Sequence, residues 1–300
     1  MRKVAACVVV WLSLVSRALA DEVVWFVSAE DKEAWAQDLA ERWSDVSGNH
    51  VKWIIGNHSD GTRMVASGMA DLALSNHANL VTPKGDVRPS ERDITTLPLF
   101  FDAVAFVVNN ENPLTSVAAS QLKMVLRDSE PNWSQLNGST NPISIYIPKY
   151  PFAGDRLLLQ KWVWGSFWHD WSDQVKTNDS TTDIAKKSNQ IENILGISSL
   201  YTTRRASVRS LKLDDVELSY QTVKSGLYPL VYPVYLAFGN SKLAKELSYF
   251  ALDNKNSDLF IKNEIVLFNE PAAQAQWQKL SLSWRADPAG DLFKTERAGP

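Results

Sequence analysis

The sequence predicts an α/β protein with a parallel sheet, its second half opening a separate lobe. Short apolar runs rich in β-formers alternate with helical patterns, and polar turns follow the strand ends. From Asn109 the texture changes to short polar loops: Asn112-Pro113, Glu130-Pro131, Asn137-Gly138 and Asn141-Pro142. With 300 residues, 45% hydrophobic and 22% charged, a disordered chain, a collagen-like repeat and a disulfide-stapled miniprotein are excluded.

The first twenty residues read as a secretory leader. Arg2 and Lys3 precede the apolar run Val4 to Val15, and Ala18-Leu19-Ala20 supplies small residues before Asp21-Glu22. The run is shorter than the ~18 to 20 residues a membrane span needs, so cleavage after Ala20 and a periplasmic location are expected. Loss of Arg2, Lys3 and Arg17 takes the formal charge from -3 to -6, and the single cysteine, Cys7, goes with the leader. A thiolate nucleophile and a cysteine metal site are thereby excluded. A net negative chain without a Lys/Arg run is not expected to bind nucleic acid.

Val23 to Val27 is too short for a helix and reads as a buried strand. Ser28 follows, with Asp31 at capping-box spacing, and Trp35, Leu39, Trp43 and Val46 then share one helical face. His50 to Ile55 alternates as a second strand, Gly56 to Gly61 is a polar turn, and Thr62 to Ser67 is a short helix stopped at Gly68. Asp71 to Leu74 is a third strand ending at Ser75-Asn76. Three such units bind small ligands at the strand C-termini. After a loop with Pro83 and Pro89 come the strands Leu97 to Leu99 and Ala103 to Val108. The second lobe offers a helix at Gln121 to Leu126, a strand at Ile143 to Ile147 and a long aromatic helix from Gly154. Tyr228 to Pro233 is a strand-like crossing, followed by a helix from Lys242 to Ala251.

Several stretches together resemble one family. Asn112-Pro113-Leu114-Thr115, Gln121-Leu122, Asn132 to Gly138 and Pro142-Ile143 look like the middle of the periplasmic phosphate-binding proteins that feed ABC importers. Asp71 to Ser75, Ile194 to Ser198 and Thr222 to Leu230 agree in the same order. The resemblance runs from about Val23 to Phe268. It implies a two-lobed, type II periplasmic-binding-protein fold, each lobe a doubly wound mixed sheet flanked by helices, closing on a solute in the cleft. On this reading residues 21–103 with 233–300 form one lobe and residues 104–232 the other.

In the family the anion is held by hydroxyls and backbone N–H groups at helix N-termini. The corresponding turns here are Ser28-Ala29, Ser75-Asn76 and Ala153-Gly154-Asp155, with Lys149 and Arg156 as the nearby bases. Asn76 stands where some members place a carboxylate that accepts the proton of hydrogen phosphate. At the third turn family members usually carry Ser-Gly-Thr, so two hydroxyls are lost and an acid is gained; Asp155 is also a good helix cap.

Trp162, Trp164, Phe167, Trp168 and Trp171 crowd the aromatic helix, with Trp164, Trp168 and Trp171 on one face. Packing inside the lobe is the simple account, and a partner-binding patch the sharp one. The histidines His50, His58, His77 and His169 show no metal spacing. No local hydrolase signature is present, though Ser75 and His77 are two apart. The expectation is therefore a monomeric binding protein rather than an enzyme, without metal or cofactor, taking a small oxyanion or related polar solute for a membrane permease. A sensory or regulatory partner of a membrane protein is the alternative, and a phosphatase the lesser one.

Overall fold

The computed structural model describes residues 22–28, 34–56, 58–75, 94–149, 154–166 and 169–285. The leader, Ala29, Asn76, Ala153, the loop with Pro83 and Pro89, and Phe167 and Trp168 lie outside them.

The chain opens with β1 (Glu22–Ser28), α1 (Ala34–Ser47), β2 (His50–Gly56), α2 (His58–Ser67) and β3 (Leu72–Ser75). Helix α1 buries Trp35, Leu39 and Trp43, as their spacing predicts. Val46, expected on the same face, is 69% exposed, in the last turn before Gly48 (φ 72°) redirects the chain. Ile55 is exposed because β2 is an edge strand. Helix α2 starts at His58 rather than Thr62, so Gly61 is a packing residue and not part of a turn. A Cβ on Gly61 would lie 2.4 Å from the carbonyl oxygen of Leu74, and its absence lets α2 lie directly on β3. Gly68 (φ 76°) ends α2, and the N–H groups of Met69 and Ala70 return to the carbonyl of Met64.

The two strands expected around residue 100 are one, β4 (Thr95–Val108); the buried acid Asp102 interrupts the apolar run without interrupting the strand. There follow β5 (Ser116–Val117), α3 (Ala119–Arg127), β6 (Ser144–Pro148), α4 (Gly154–Trp164), β7 (Lys176–Asn178), α5 (Thr181–Ser188), β8 (Ile194–Ser199) and α6 (Leu200–Ala206). The remainder is β9 (Lys212–Leu213), α7 (Tyr220–Lys224), β10 (Val231–Phe238), α8 (Lys242–Leu252), α9 (Ser257–Lys262), β11 (Val266–Leu267) and α10 (Pro271–Arg285). The Asn132 to Gly138 stretch forms a 3-10 turn over Trp133–Leu136. Its Asn132 side chain accepts from the N–H of Ser134, Gln135 caps back, and Asn137 takes φ 62°. That stretch serves to bury Trp133 and Leu136.

The main sheet runs β2-β1-β3-β10-β4-β8-β6-β7, with β11 also on β4. Strand β4 joins its two halves. Thr95 to Ala103 pair with β10, and Val104 to Val108 pair with β8. In the first half, Trp25 stacks on Trp53 at 5.1 Å and meets Trp35 edge-on at 6.3 Å. Trp35 in turn packs on Phe100 and Phe260, extending the core from the sheet to α9.

Helix α4 ends at Trp164, where Gly165 takes φ 74°. Of the aromatic face expected for Trp164, Trp168 and Trp171, Trp168 lies outside the described residues, and Trp171 lies beyond the helix end and does not share its face. Trp171 instead folds back edge-on to Trp164 at 4.5 Å, and His169 stacks on Trp164 at 4.3 Å. Trp162 packs on Phe106, under the ammonium of Lys123. All three indoles are half-buried against the core, so packing within the lobe accounts for them.

Candidate ligand-binding cleft

Two rims of strand ends are built by the topology. Strands β1, β2 and β3 are parallel, with Ser28 opposite Gly56 and Phe26 opposite Ala73. Two residues on from the latter pair, Ser28 and Ser75 reach the same level at the C-terminal edge. Strands β6, β7 and β8 are also parallel, ending at Pro148, Asn178 and Ser199. Because β10 is antiparallel to both β3 and β4, β3 and β4 run the same way; β8 runs against β4. The first set of C-termini therefore points toward the second half and the second set points back. The rims face each other across the stretch of β4 around Asp102 and Ala103.

The expected site residues divide between these rims. Ser28 and the fully buried Ser75 are on the first. Lys149, Gly154, Asp155 and Arg156 are on the second. Ala29, Asn76 and Ala153 lie outside the described residues.

Arg156 ties the first turn of α4 back to the end of β6. Its guanidinium donates to the carbonyls of Pro148 (2.9 Å) and Lys149 (2.7 Å) and to Oε1 of Gln160 (2.9 Å). Burial lowers its pKa, against the raising field of Asp155. The same Gln160 oxygen accepts from the indole of Trp171 at 3.1 Å, so the aromatic fold-back joins the hydrogen-bond network of Arg156. Asp155 stands one residue inside α4 rather than at its cap, buried, its Oδ1 accepting from the N–H of Arg156 at 2.8 Å. An acid in a first turn complements the helix dipole. Lys149 pairs with Asp179 at 3.2 Å, both well exposed, a contact worth at most ~1 kcal/mol.

Sequence reasoning missed two polar clusters. The hydroxyls of Thr181 and Thr202 meet at 3.0 Å, those of Ser199 and Thr202 at 3.3 Å, and Ser198 donates to the carbonyl of Thr181 at 3.4 Å. The signal was Ser198-Ser199 closing an apolar strand, with Ser180 at capping distance from Asp183. The second cluster surrounds Asp102. Its carboxylate accepts from the N–H groups of Ala103 (2.8 Å) and Tyr201 (3.2 Å), from the hydroxyl of Tyr232 (3.2 Å) and from Ser199. Burial raises its pKa, and these hydrogen bonds oppose the shift. Beside it a cavity of about 190 Å³ opens between Phe100, Phe101, Tyr201, Arg204 and Ile265. Across the cavity Arg204 of α6 binds both the carboxylate and the carbonyl of Glu264.

A family model described as the PBP superfamily domain matches residues 30–255, a span that includes the second rim and the β2 and β3 ends of the first. The chain belongs to the PBP superfamily. Among superfamily relatives, Protein SphX of Synechococcus elongatus is 27% identical over 222 residues, covering 66% of this chain. The chain spans 61% of the length of that relative. A structure from Clostridium perfringens, assigned as a phosphate ABC transporter substrate-binding protein with bound phosphate, superposes with a TM-score of 0.67 at 18% identity. It covers 83% of this chain and 100% of that one. An ABC-type phosphate transport receptor from Vibrio cholerae gives 0.61 at 17% identity, covering 81% and 99%. These likenesses establish the fold as the two-lobed type II periplasmic-binding-protein fold. No helix among the described residues is long and apolar enough to cross a membrane.

Proposed function

We propose that this superfamily member is an exported, monomeric solute-binding protein that captures a small oxyanion or related polar solute between its two rims. It delivers that solute to a membrane permease, without turning it over and without metal or cofactor. The observation that carries this reading is the pair of facing strand-end rims, set on either side of β4 by the opposed strand directions. The Clostridium and Vibrio structures, both named for phosphate transport, support it. The lobes of this reading are residues 21–103 with 233–300, and residues 104–232. Their proposed hinge includes the point where β4 changes partner between Ala103 and Val104. Ser28, Ala29, Ser75 and Asn76 serve the first lobe; Lys149, Ala153, Gly154, Asp155 and Arg156 serve or shape the second.

Calorimetry of the mature protein with phosphate, sulfate, molybdate and phosphonates tests the proposal. Heat of binding with at least one is expected, and silence with all of them removes it. A second reading, a regulatory partner of a membrane sensor protein, is favoured by one observation, the buried Asp155 at the mouth of α4. Silence with every oxyanion, together with specific capture of a sensor rather than a permease in native membranes, is the outcome that selects it.

A further inference from the structure

Strand β10 carries a tyrosine that none of the expected turns includes. Tyr235 is the cross-strand partner of Ser75. Directly opposed residues of an antiparallel pair project to the same face, with Cβ atoms ~4.5–5.5 Å apart, so Tyr235 belongs to the first rim. The ladder to β4 slips at this residue: Val234 faces Phe100 but Tyr235 faces Pro98, leaving Leu99 as the extra residue of a bulge. Bulges beside binding sites re-aim side chains, and proline tolerates such a position because it has no N–H to pair.

The other two tyrosines of the crossing segment are tied down. Tyr228 donates to the carbonyl of Val104 at 2.7 Å, and Tyr232 donates to Asp102 at 3.2 Å. Tyr235 is half-buried, yet its hydroxyl bonds to none of the described residues. Burial pushes the phenol up to about 12, so the group keeps its proton and stays neutral throughout the physiological range. A neutral donor on the first rim is what an anion needs from a net negative chain, and it offsets hydroxyls absent from Ala153-Gly154-Asp155.

We propose that Tyr235 is a further ligand-contacting residue, donating its O–H to the bound oxyanion beside Ser75. This rests on the oxyanion reading above. The test is calorimetry of wild type and Tyr235→Phe with phosphate and sulfate, alongside the tyrosine ultraviolet difference spectrum during each titration. Removing a hydrogen bond to a charged group should weaken binding by about tenfold or more. The melting temperature should stay close to wild type, and the wild-type difference signal should vanish in the variant. Equal affinities and a retained signal overturn the role of Tyr235 while leaving the oxyanion reading standing. Silence of the wild type with every oxyanion tried removes both. Should Tyr235→Phe prove unstable, the wild-type spectrum decides, because saturation with ligand and no tyrosine signal also overturns the assignment.

Discussion

Asp102 holds a carboxylate at the crossing of the two halves, and every hydrogen bond it accepts comes from a neutral group. Its folded-state pKa is raised above the ordinary 3.8, so within the window above that value the folded chain binds more protons than the unfolded one. Stability is then lost as pH rises through the window. Asp102→Asn keeps an acceptor for the two N–H groups, and the tyrosine and serine hydroxyls can turn to meet its amide. The variant is expected to exceed wild type at neutral pH by on the order of 1 kcal/mol. The gap should close near about pH 4, and denaturant melts at the two pH values measure it. Neither this residue nor Tyr235 was legible as a site residue in the sequence. Each acquires its role from strand register with a partner over 100 positions away, whereas Ser28 and Ser75 were legible as polar residues ending apolar runs.

Helices α1 and α8 could be read from periodicity because each has enough turns for a pattern to repeat. The two-residue strands β5, β9 and β11 and the single-turn helix α7 could not, since their placement depends on neighbours remote in sequence. The tryptophan spacing carries the helical pattern past Gly165, although a glycine after a helical run is an ordinary stop signal and the helix ends there. Gly61 shows the opposite error. Its polar neighbours suggest a turn, but it is the contact that seats α2 on β3 beneath the first rim. Gly61→Ala gains up to ~1 kcal/mol of helix propensity but forces a Cβ against the Leu74 carbonyl. A net destabilisation of about 1–3 kcal/mol is expected, read from urea unfolding midpoints.

For the molecule as a whole, the α/β class was legible, because the alternation of strand and helix patterns survives without knowledge of pairing. The continuity of the sheet through β4 was not. With β4 as a shared strand and Arg204 reaching Glu264 across the cavity, solute binding is expected to swing the halves together. Small-angle scattering should then show a smaller radius of gyration with ligand than without, and identical profiles would argue against closure. The position of β10 also bears on assembly. It lies between β3 and β4 yet is made long after both, as the 130-residue separation of Asp102 and Tyr232 shows. Until residues 231–238 arrive, the first half holds two unpaired strand edges side by side. The later-made half can complete much of its sheet earlier, so the segment first to emerge is among the last to close.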